Sequence, residues 1–356
     1  MNRLFTTIVL VIAVATFAFG AMTQQSRADG FDMAQLSRLP PPSEGPLQVG
    51  VGIQINQITG VNQQEENFGV VGTLVMQLNL PRLAFADDDS TQDYRRYRPD
   101  EFVELATEQG ITLPAFLLQN QQGRRFVQQA IVMLQSDGNA AYVERFSATL
   151  QAPHFNFRRY PFDKQTFYVE ISSLFPRNFV EFFPLEDQSG LGGLLGEEEW
   201  VLYGAQMETK FVTGFTGLET SQIALRFEGR RHIVFYVLRL MLPLMIILMV
   251  SWATFFLQEY RRRIDMASAN LLVFVAFNFA ISTTLPKLGY LTFIDSLLVG
   301  MFVITGSMVL VNIALRRLKI NDREALARKI DRYLVVWIYP AIHAGFLFWA
   351  VKFYLI

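Results

Sequence analysis

The chain has 356 residues, 51% of them hydrophobic, and sets 31 basic against 32 acidic side chains for a formal net charge of −1. So balanced a charge argues against a nucleic-acid partner, and the absence of cysteine excludes a disulfide framework. A mean hydropathy of +0.24 is high for a soluble protein, and the length suits about two domains.

Residues 1–28 read as a secretory signal. Arg3 supplies the basic n-region, Ile8 to Gly20 the apolar h-region, and Ser26-Arg27-Ala28 a small-x-small cleavage pattern. The alternative is an uncleaved N-terminal anchor; either way the next segment is exported. Residues 29–45, with Leu39-Pro40-Pro41-Pro42, form a lead-in rather than a core.

From Leu47 to about Glu228 the pattern is that of β-structure. Leu47, Val49, Val51, Ile53 and Ile55 alternate with Gly and Gln, the period of a half-buried strand. A second strand is expected over Gly69–Leu80, after a turn at Gly60-Val61-Asn62. Gln129–Leu134 and Ala140–Leu150 predict a hairpin across Ser136-Asp137-Gly138-Asn139, since Asp-Gly favours tight turns. Thr166–Ile171 and Ile223–Phe227 alternate again, and Pro99–Gly110 predicts one short helix. Many short strands predict a sandwich. The acid runs Asp87–Asp89 and Glu197–Glu199 read as solvated loops, with a Ca²⁺ site as the sharper alternative.

Four apolar spans follow Arg231: 233–257, 264–285, 292–315 and 333–356. The first connection holds Arg261, Arg262 and Arg263. The third, 316–332, holds Arg316, Arg317, Lys319, Arg323, Arg328 and Lys329, and the second only Lys287. The positive-inside rule puts the first and third connections in the cytoplasm. The β domain (29–229) and the C-terminus of the membrane domain (230–356) then lie outside, which agrees with the signal. For a bacterial chain this means a multi-pass protein of the inner membrane, with both ends on the periplasmic side.

The second span carries too many polar groups for a lipid surround: Asp265, Ser268, Asn270, Asn278, Ser282, Thr283 and Thr284. At helical spacing one stripe emerges, Asp265, Ala269, Leu272, Ala276, Phe279 and Thr283. An acid at one end, apolar groups in the middle and a hydroxyl at the other end suit a helix lining a water path. The stripe equally suits a buried helix with Asp265 paired to one of Arg261–Arg263.

Tyr160-Pro161-Phe162-Asp163-Lys164-Gln165 resembles the Phe-Pro-Phe-Asp-x-Gln signature of pentameric ligand-gated ion channels, the Cys-loop receptor superfamily. Pro153 and Phe167 occupy the positions of the bracketing cysteines, so the chain is similar to the bacterial members, which lack the bridge. Pro243 in the first span and Pro286 closing the second fit the same pattern. Leu285-Pro286-Lys287-Leu288-Gly289-Tyr290, the Thr292-Phe293-Ile294-Asp295 that follows, Gly60-Val61-Asn62 and Leu113-Pro114-Ala115 are similar to the amine-gated bacterial channels.

The resemblance, from about residue 46 onward, implies an extracellular β-sandwich, immunoglobulin-like and of about ten strands, above four transmembrane helices. It implies a homopentamer around a pore lined by the second helix, and decides the stripe in favour of the pore. Asp265 becomes the selectivity ring, which favours cations, and Leu272, Ala276 and Phe279 the hydrophobic gate. The coupling interface falls on Glu65 or Glu66, the signature residues Tyr160, Pro161, Phe162 and Asp163, the pre-span Arg231, and Pro286, Lys287 and Tyr290. The amine-cage positions hold Thr73, Leu117, Ser172 and Leu174, so that cage is not inherited. Tyr142, Arg145 and Phe175 remain near the expected cleft, and the capping span Phe211–Thr220 is short. Arg239 departs from the family by placing a cation inside the first span.

The implied partners are copies of the same chain, permeant inorganic cations, membrane lipids and an unidentified small-molecule or ionic agonist. No cofactor motif is present. No Ser/His/Asp spacing or metal cluster supports an enzyme, with only His154 and His232 as candidates. Proton or Ca²⁺ gating and a non-conducting four-span receptor are the alternatives; His154 and His232 would serve the first.

Overall fold

The computed structural model describes residues 45–86, 93–193, 195, 199–282 and 288–356. The expected signal segment, the acid run Asp87–Asp89, and Glu197 and Glu198 of the second run lie outside them.

Eleven strands are present among the described residues. In chain order they are β1 (Leu47–Asn62), β2 (Asn67–Asn79), β3 (Tyr94–Tyr97), β4 (Phe116–Leu118), β5 (Gln121–Gln135) and β6 (Asn139–Gln151). Then come β7 (Lys164–Pro176), β8 (Val180–Pro184), β9 (Gly190–Leu191), β10 (Trp200–Thr213) and β11 (Glu219–Arg231). One sheet runs β3-β5-β6-β2-β1-β8 with β9 beside β1, and the other runs β10-β11-β7-β4. The two inner faces are built from alternate residues, including Val49, Val51, Ile53 and Ile55 of β1, Phe167, Val169 and Ile171 of β7, and Ile223, Leu225 and Phe227 of β11. Phe167, at a position matched to a cysteine, sits in an aromatic cluster, 5.1 Å from Phe68, 5.1 Å from Phe155 and 5.2 Å from Phe227 between ring centroids.

The turn expected at Gly60-Val61-Asn62 is strand; β1 continues to Asn62 and the chain reverses over 63–66. Two register shifts, between Ile55 and Gln57 and between Ile58 and Gly60, carry the strand through the glycine. Asn62 Oδ1 then accepts from the N–H groups of Gln64 (3.0 Å) and Glu65 (3.2 Å) and makes the turn. The expected short helix is α1 (Pro99–Glu108), with proline in its first turn and Glu101 Oε2 accepting from Arg98 N at 3.0 Å.

Among the described residues, four helices are long and apolar enough to cross a membrane: α2 (Ile233–Phe256), α3 (Tyr260–Ser282), α4 (Phe293–Ile320) and α5 (Glu324–Tyr354). The connection expected over 316–332 is almost entirely helix, because α4 and α5 extend beyond their apolar spans and leave a tight link at residues 321–323. Thr292 and Asp295 cap α4 reciprocally: Thr292 Oγ1 accepts from Asp295 N at 3.2 Å and Asp295 Oδ2 accepts from Thr292 N at 3.0 Å. In α2 a π-helical turn, Val237–Met241, precedes Pro243, and in α5 another, Leu334–Ile338, precedes Pro340. A proline removes one N–H and crowds the carbonyl four residues back, and a wide turn absorbs both. Gly300 of α4 lies against the Phe346 ring of α5, where even a Cβ would clash.

Candidate functional site: the domain junction and the face of α3

β11 ends at Arg231 and α2 begins at Ile233, so one residue separates the sandwich from the membrane helices. Arg231 has no exposed side-chain surface, and neither, within 1%, has Asp163, whose Oδ1 lies 3.1 Å from Arg231 Nε. Glu199, 45% exposed, takes Arg231 Nη1 from the other side. Tyr236 of α2 accepts from Arg231 Nη1 at 3.0 Å and donates to Glu199 Oε1 at 2.7 Å. With its amide oxygen turned inward, Gln63 accepts from both terminal guanidinium nitrogens, at 2.9 and 3.1 Å. The Trp200 and Tyr160 rings cover the guanidinium, with centroids 4.1 and 4.8 Å from Cζ. Burial opposes the arginine's charge, but Asp163, with Tyr236 and Glu199, outweighs it and holds Arg231 above the usual arginine range. Burial likewise pushes the Tyr160 phenol up.

The signature loop is pinned on its own side by Gln165, whose Nε2 donates to Asp163 Oδ2 (2.5 Å) and Asn156 O (2.9 Å) while Oε1 accepts from Asn156 N (2.9 Å). Across the junction, Phe293 N donates to Arg158 O at 2.9 Å and Phe157 N donates to the Tyr290 hydroxyl at 3.1 Å. Phe162 meets Phe293 edge-on at 5.8 Å, and Tyr160 meets Tyr236 at 5.4 Å. The peptide joining Tyr160 to Pro161 is cis. Of the expected coupling residues, Tyr160, Pro161, Phe162, Asp163, Arg231 and Tyr290 therefore come together. Glu65 does not: its carboxylate accepts from Asn67 Nδ2 at 3.1 Å, and Gln63 of the same turn reaches Arg231 instead. Pro286 and Lys287 lie outside the described residues. Glu199, Trp200, Tyr236 and Gln63 were missed from sequence. Glu199 belonged to a run read as solvated loop, and its partner is 32 positions away.

A cavity of about 610 Å³ opens beside this cluster, lined by Gln63, Tyr160, Glu199, Arg239, Phe277 and Ile281 among others. The Arg239 guanidinium lies over the Phe235 ring at 4.8 Å.

In α3, Tyr260, Arg263, Ala267, Asn270, Phe274 and Ile281 are buried. At about 100° per residue, the last five lie opposite Asp265, Ala269, Leu272, Ala276 and Phe279, all of which are exposed on the single subunit. Leu272 is 69% and Phe279 78% exposed, large apolar side chains left uncovered by their own chain. Thr283, the sixth stripe position, lies outside the described residues. Asn270 ties the buried face to α2, its Nδ2 donating to Ile247 O at 3.0 Å and Ser251 Oγ at 2.6 Å. Asn278 is exposed.

The three residues expected near a ligand cleft are not brought together. Tyr142 and Arg145 lie on β6 at an odd spacing and face opposite sides of the sheet. Tyr142 donates to Glu144, a fully buried carboxylate 3.3 Å from Arg125 Nε, and burial with this bond pushes the phenol's pKa up. Phe175 is buried and stacks on Phe179 at 4.9 Å. A cavity of about 120 Å³ opens under residues 214–218, lined by Leu117, Gln119, Ser172, Thr213 and Phe215 among others. His154 packs edge-on against Tyr168 at 5.6 Å, and His343 Nδ1 lies 2.6 Å from Tyr339 O. Among the described residues no group of three or more His, Asp or Glu side chains forms a metal cluster.

A sandwich set by a buried arginine onto four membrane helices, one with an uncovered stripe, defines a class. Residues 35–233 match the neurotransmitter-gated ion-channel ligand binding domain, more than half of the chain, and the protein belongs to that family of pentameric ligand-gated ion channels. The chain is 28% identical over 355 residues to a proton-gated ion channel of Gloeobacter violaceus, covering 94% of this chain and 92% of that one. It is 24% identical over 290 residues to the gamma-aminobutyric acid receptor subunit beta-4 of Gallus gallus, covering 77% of this chain and 55% of that subunit. The family is not enzymatic, and the protein is a multi-pass membrane protein.

Proposed function

We propose that the protein is a cation-selective ligand-gated channel, a homopentamer in which the exposed face of α3 lines the pore. One observation carries this: Asp265, Ala269, Leu272, Ala276 and Phe279 share one face that their own chain leaves bare, while the opposite face is buried against α2 and α4. Five copies around an axis cover that face with each other. Leu272, Ala276 and Phe279, with no polar atom in their side chains, form the gate by dewetting, and the Asp265 ring selects cations. Thr283 forms the outer mouth.

The outer domain (29–229) reaches the membrane domain (230–356) through Asp163, Arg231, Glu199 and Tyr236, which share one hydrogen-bonded network. We assign Pro286 and Lys287 to the same coupling role on the family resemblance alone. Residues 1–28 direct export, and the basic side chains of 261–263 and 316–332 keep those ends on the cytoplasmic side of the bacterial inner membrane.

A proton is the agonist put forward. Glu199 is the half-exposed partner of the buried Arg231 guanidinium, so the junction network reaches solvent at that carboxylate. The Gloeobacter relative is a proton-gated channel. Small organic ligands would enter under residues 214–218.

The test is current from purified protein in planar bilayers, during steps of pH, Ca²⁺ and small amines. In a salt gradient, the reversal potential should lie on the cation side and move toward zero in Asp265→Asn. An anion-selective wild type would end the selectivity assignment, and no current under any condition with a native fold would end the channel reading.

A further inference from the structure

The three arginines at the inner end of α3 leave it in three directions. Measured from Asp265 at about 100° per residue, the stripe residues Ala269, Leu272, Ala276 and Phe279 fall within about 40° on either side. Arg263 lies about 160° away, on the buried face. Its Nη1 is 2.7 Å from Asp331 Oδ1 of α5, and its Nε donates to Leu257 O at 2.5 Å. Arg262 lies about 60° away and is paired with Glu259, Nε to Oε2 at 3.0 Å. Arg261 lies about 40° away, at the azimuth of Phe279 and four residues before Asp265. It is exposed and has no ion-pair partner among the described residues.

We propose that Arg261 forms a cationic ring one turn inside the Asp265 ring, and that this ring weakens the channel's discrimination in favour of cations. The proposal rests on the reading of the α3 face as the pore lining. Four residues of helix separate the rings by about 6 Å along the axis. That is shorter than the Debye length of about 8 Å at physiological ionic strength, so an ion at the inner mouth feels the two rings together. Each subunit contributes one carboxylate and one guanidinium, and their charges cancel in sum. A cation arriving from the cytoplasm meets the guanidinium ring first, and one arriving from outside meets the carboxylates first.

The absence of cysteine gives a clean background for the test. Arg261→Cys, Arg262→Cys and Leu272→Cys are each exposed to a positively charged methanethiosulfonate from the cytoplasmic side of a bilayer, and current is followed. The reversal potential in a potassium chloride gradient is then compared for wild type, Arg261→Gln and Arg262→Gln. Arg261→Cys should lose current on labelling and Arg262→Cys should keep most of it. Arg261→Gln should raise the cation-to-anion permeability ratio by roughly threefold or more, a conservative threshold beside the roughly 10–10³-fold by which a charged cleft changes local ion concentration. Arg262→Gln should leave the ratio nearly unchanged. Labelling block at Leu272→Cys with an unmoved ratio in Arg261→Gln would overturn the proposal and leave the pore intact. If an open channel is insensitive to labelling at Leu272→Cys as well, the pore assignment falls, and the proposal with it.

Discussion

Asp163 and Arg231 face each other at 3.1 Å with almost no surface left to solvent, across the joint between the sandwich and the membrane helices. A buried pair of this kind contributes little net stability while both members are present, yet removing one leaves an uncompensated charge. Arg231→Gln should therefore lower the unfolding free energy of the assembled protein by about 3–5 kcal/mol. The double variant Asp163→Asn with Arg231→Gln should recover part of that loss. Denaturant unfolding followed by tryptophan fluorescence in detergent is the measurement, and Trp200, against the guanidinium, makes it sensitive.

Glu199 should behave differently, because it is half-exposed and Tyr236 and Gln63 stay in place without it. Glu199→Gln should cost about 1 kcal/mol or less in stability but change the agonist concentration at which current activates, because it breaks the contact with Arg231. An unchanged activation curve would leave Glu199 outside the coupling network.

The gate has its own test in Leu272. Leu272→Ser puts a hydroxyl ring into an apolar constriction, wets it, and should produce current without agonist. If the closed channel stays silent, Phe279→Ala tests the outer constriction next.

Asn270 holds α3 to α2 through two hydrogen bonds, at 3.0 and 2.6 Å. Asn270→Leu keeps the volume and removes both, and should destabilise the membrane domain by about 1 kcal/mol, seen as a lower thermal midpoint in detergent.

Tyr142 and Tyr160 make an alkaline prediction. Both phenols titrate above the usual tyrosine range because burial penalises the phenolate. The unfolded chain ionises them near pH 10 while the folded chain keeps the protons. Their contribution is therefore complete below about pH 10 and is lost as pH rises further, so stability falls above that value. Phenolate absorbance of folded protein near pH 10 should be unchanged in a double Tyr142→Phe, Tyr160→Phe variant, because neither group ionises there.

Much of this architecture is legible in the residues. The alternation of Val49 to Ile55 defines a strand, Asp137-Gly138 sets a hairpin, and the spacing from Asp265 to Phe279 places one face of α3. What escapes is pairing across distance. The end of β1 is hidden because bulges let a strand pass Gly60, and the turn is made by the Asn62 side chain. Glu199 reads as one more surface acid until β10 carries it beside β11 and onto Arg231. The resemblance places Tyr142, Arg145 and Phe175 near one cleft, but strand alternation and the core separate them within the subunit.

The signature loop closes without a covalent bond. Gln165 holds Asp163 and Asn156 by hydrogen bonds, and Phe167 fills its place with three packed rings. Maturation of this receptor therefore needs no oxidant and no isomerase to choose partners among thiols. A reductant that opens a bridged relative will find no disulfide here to cut.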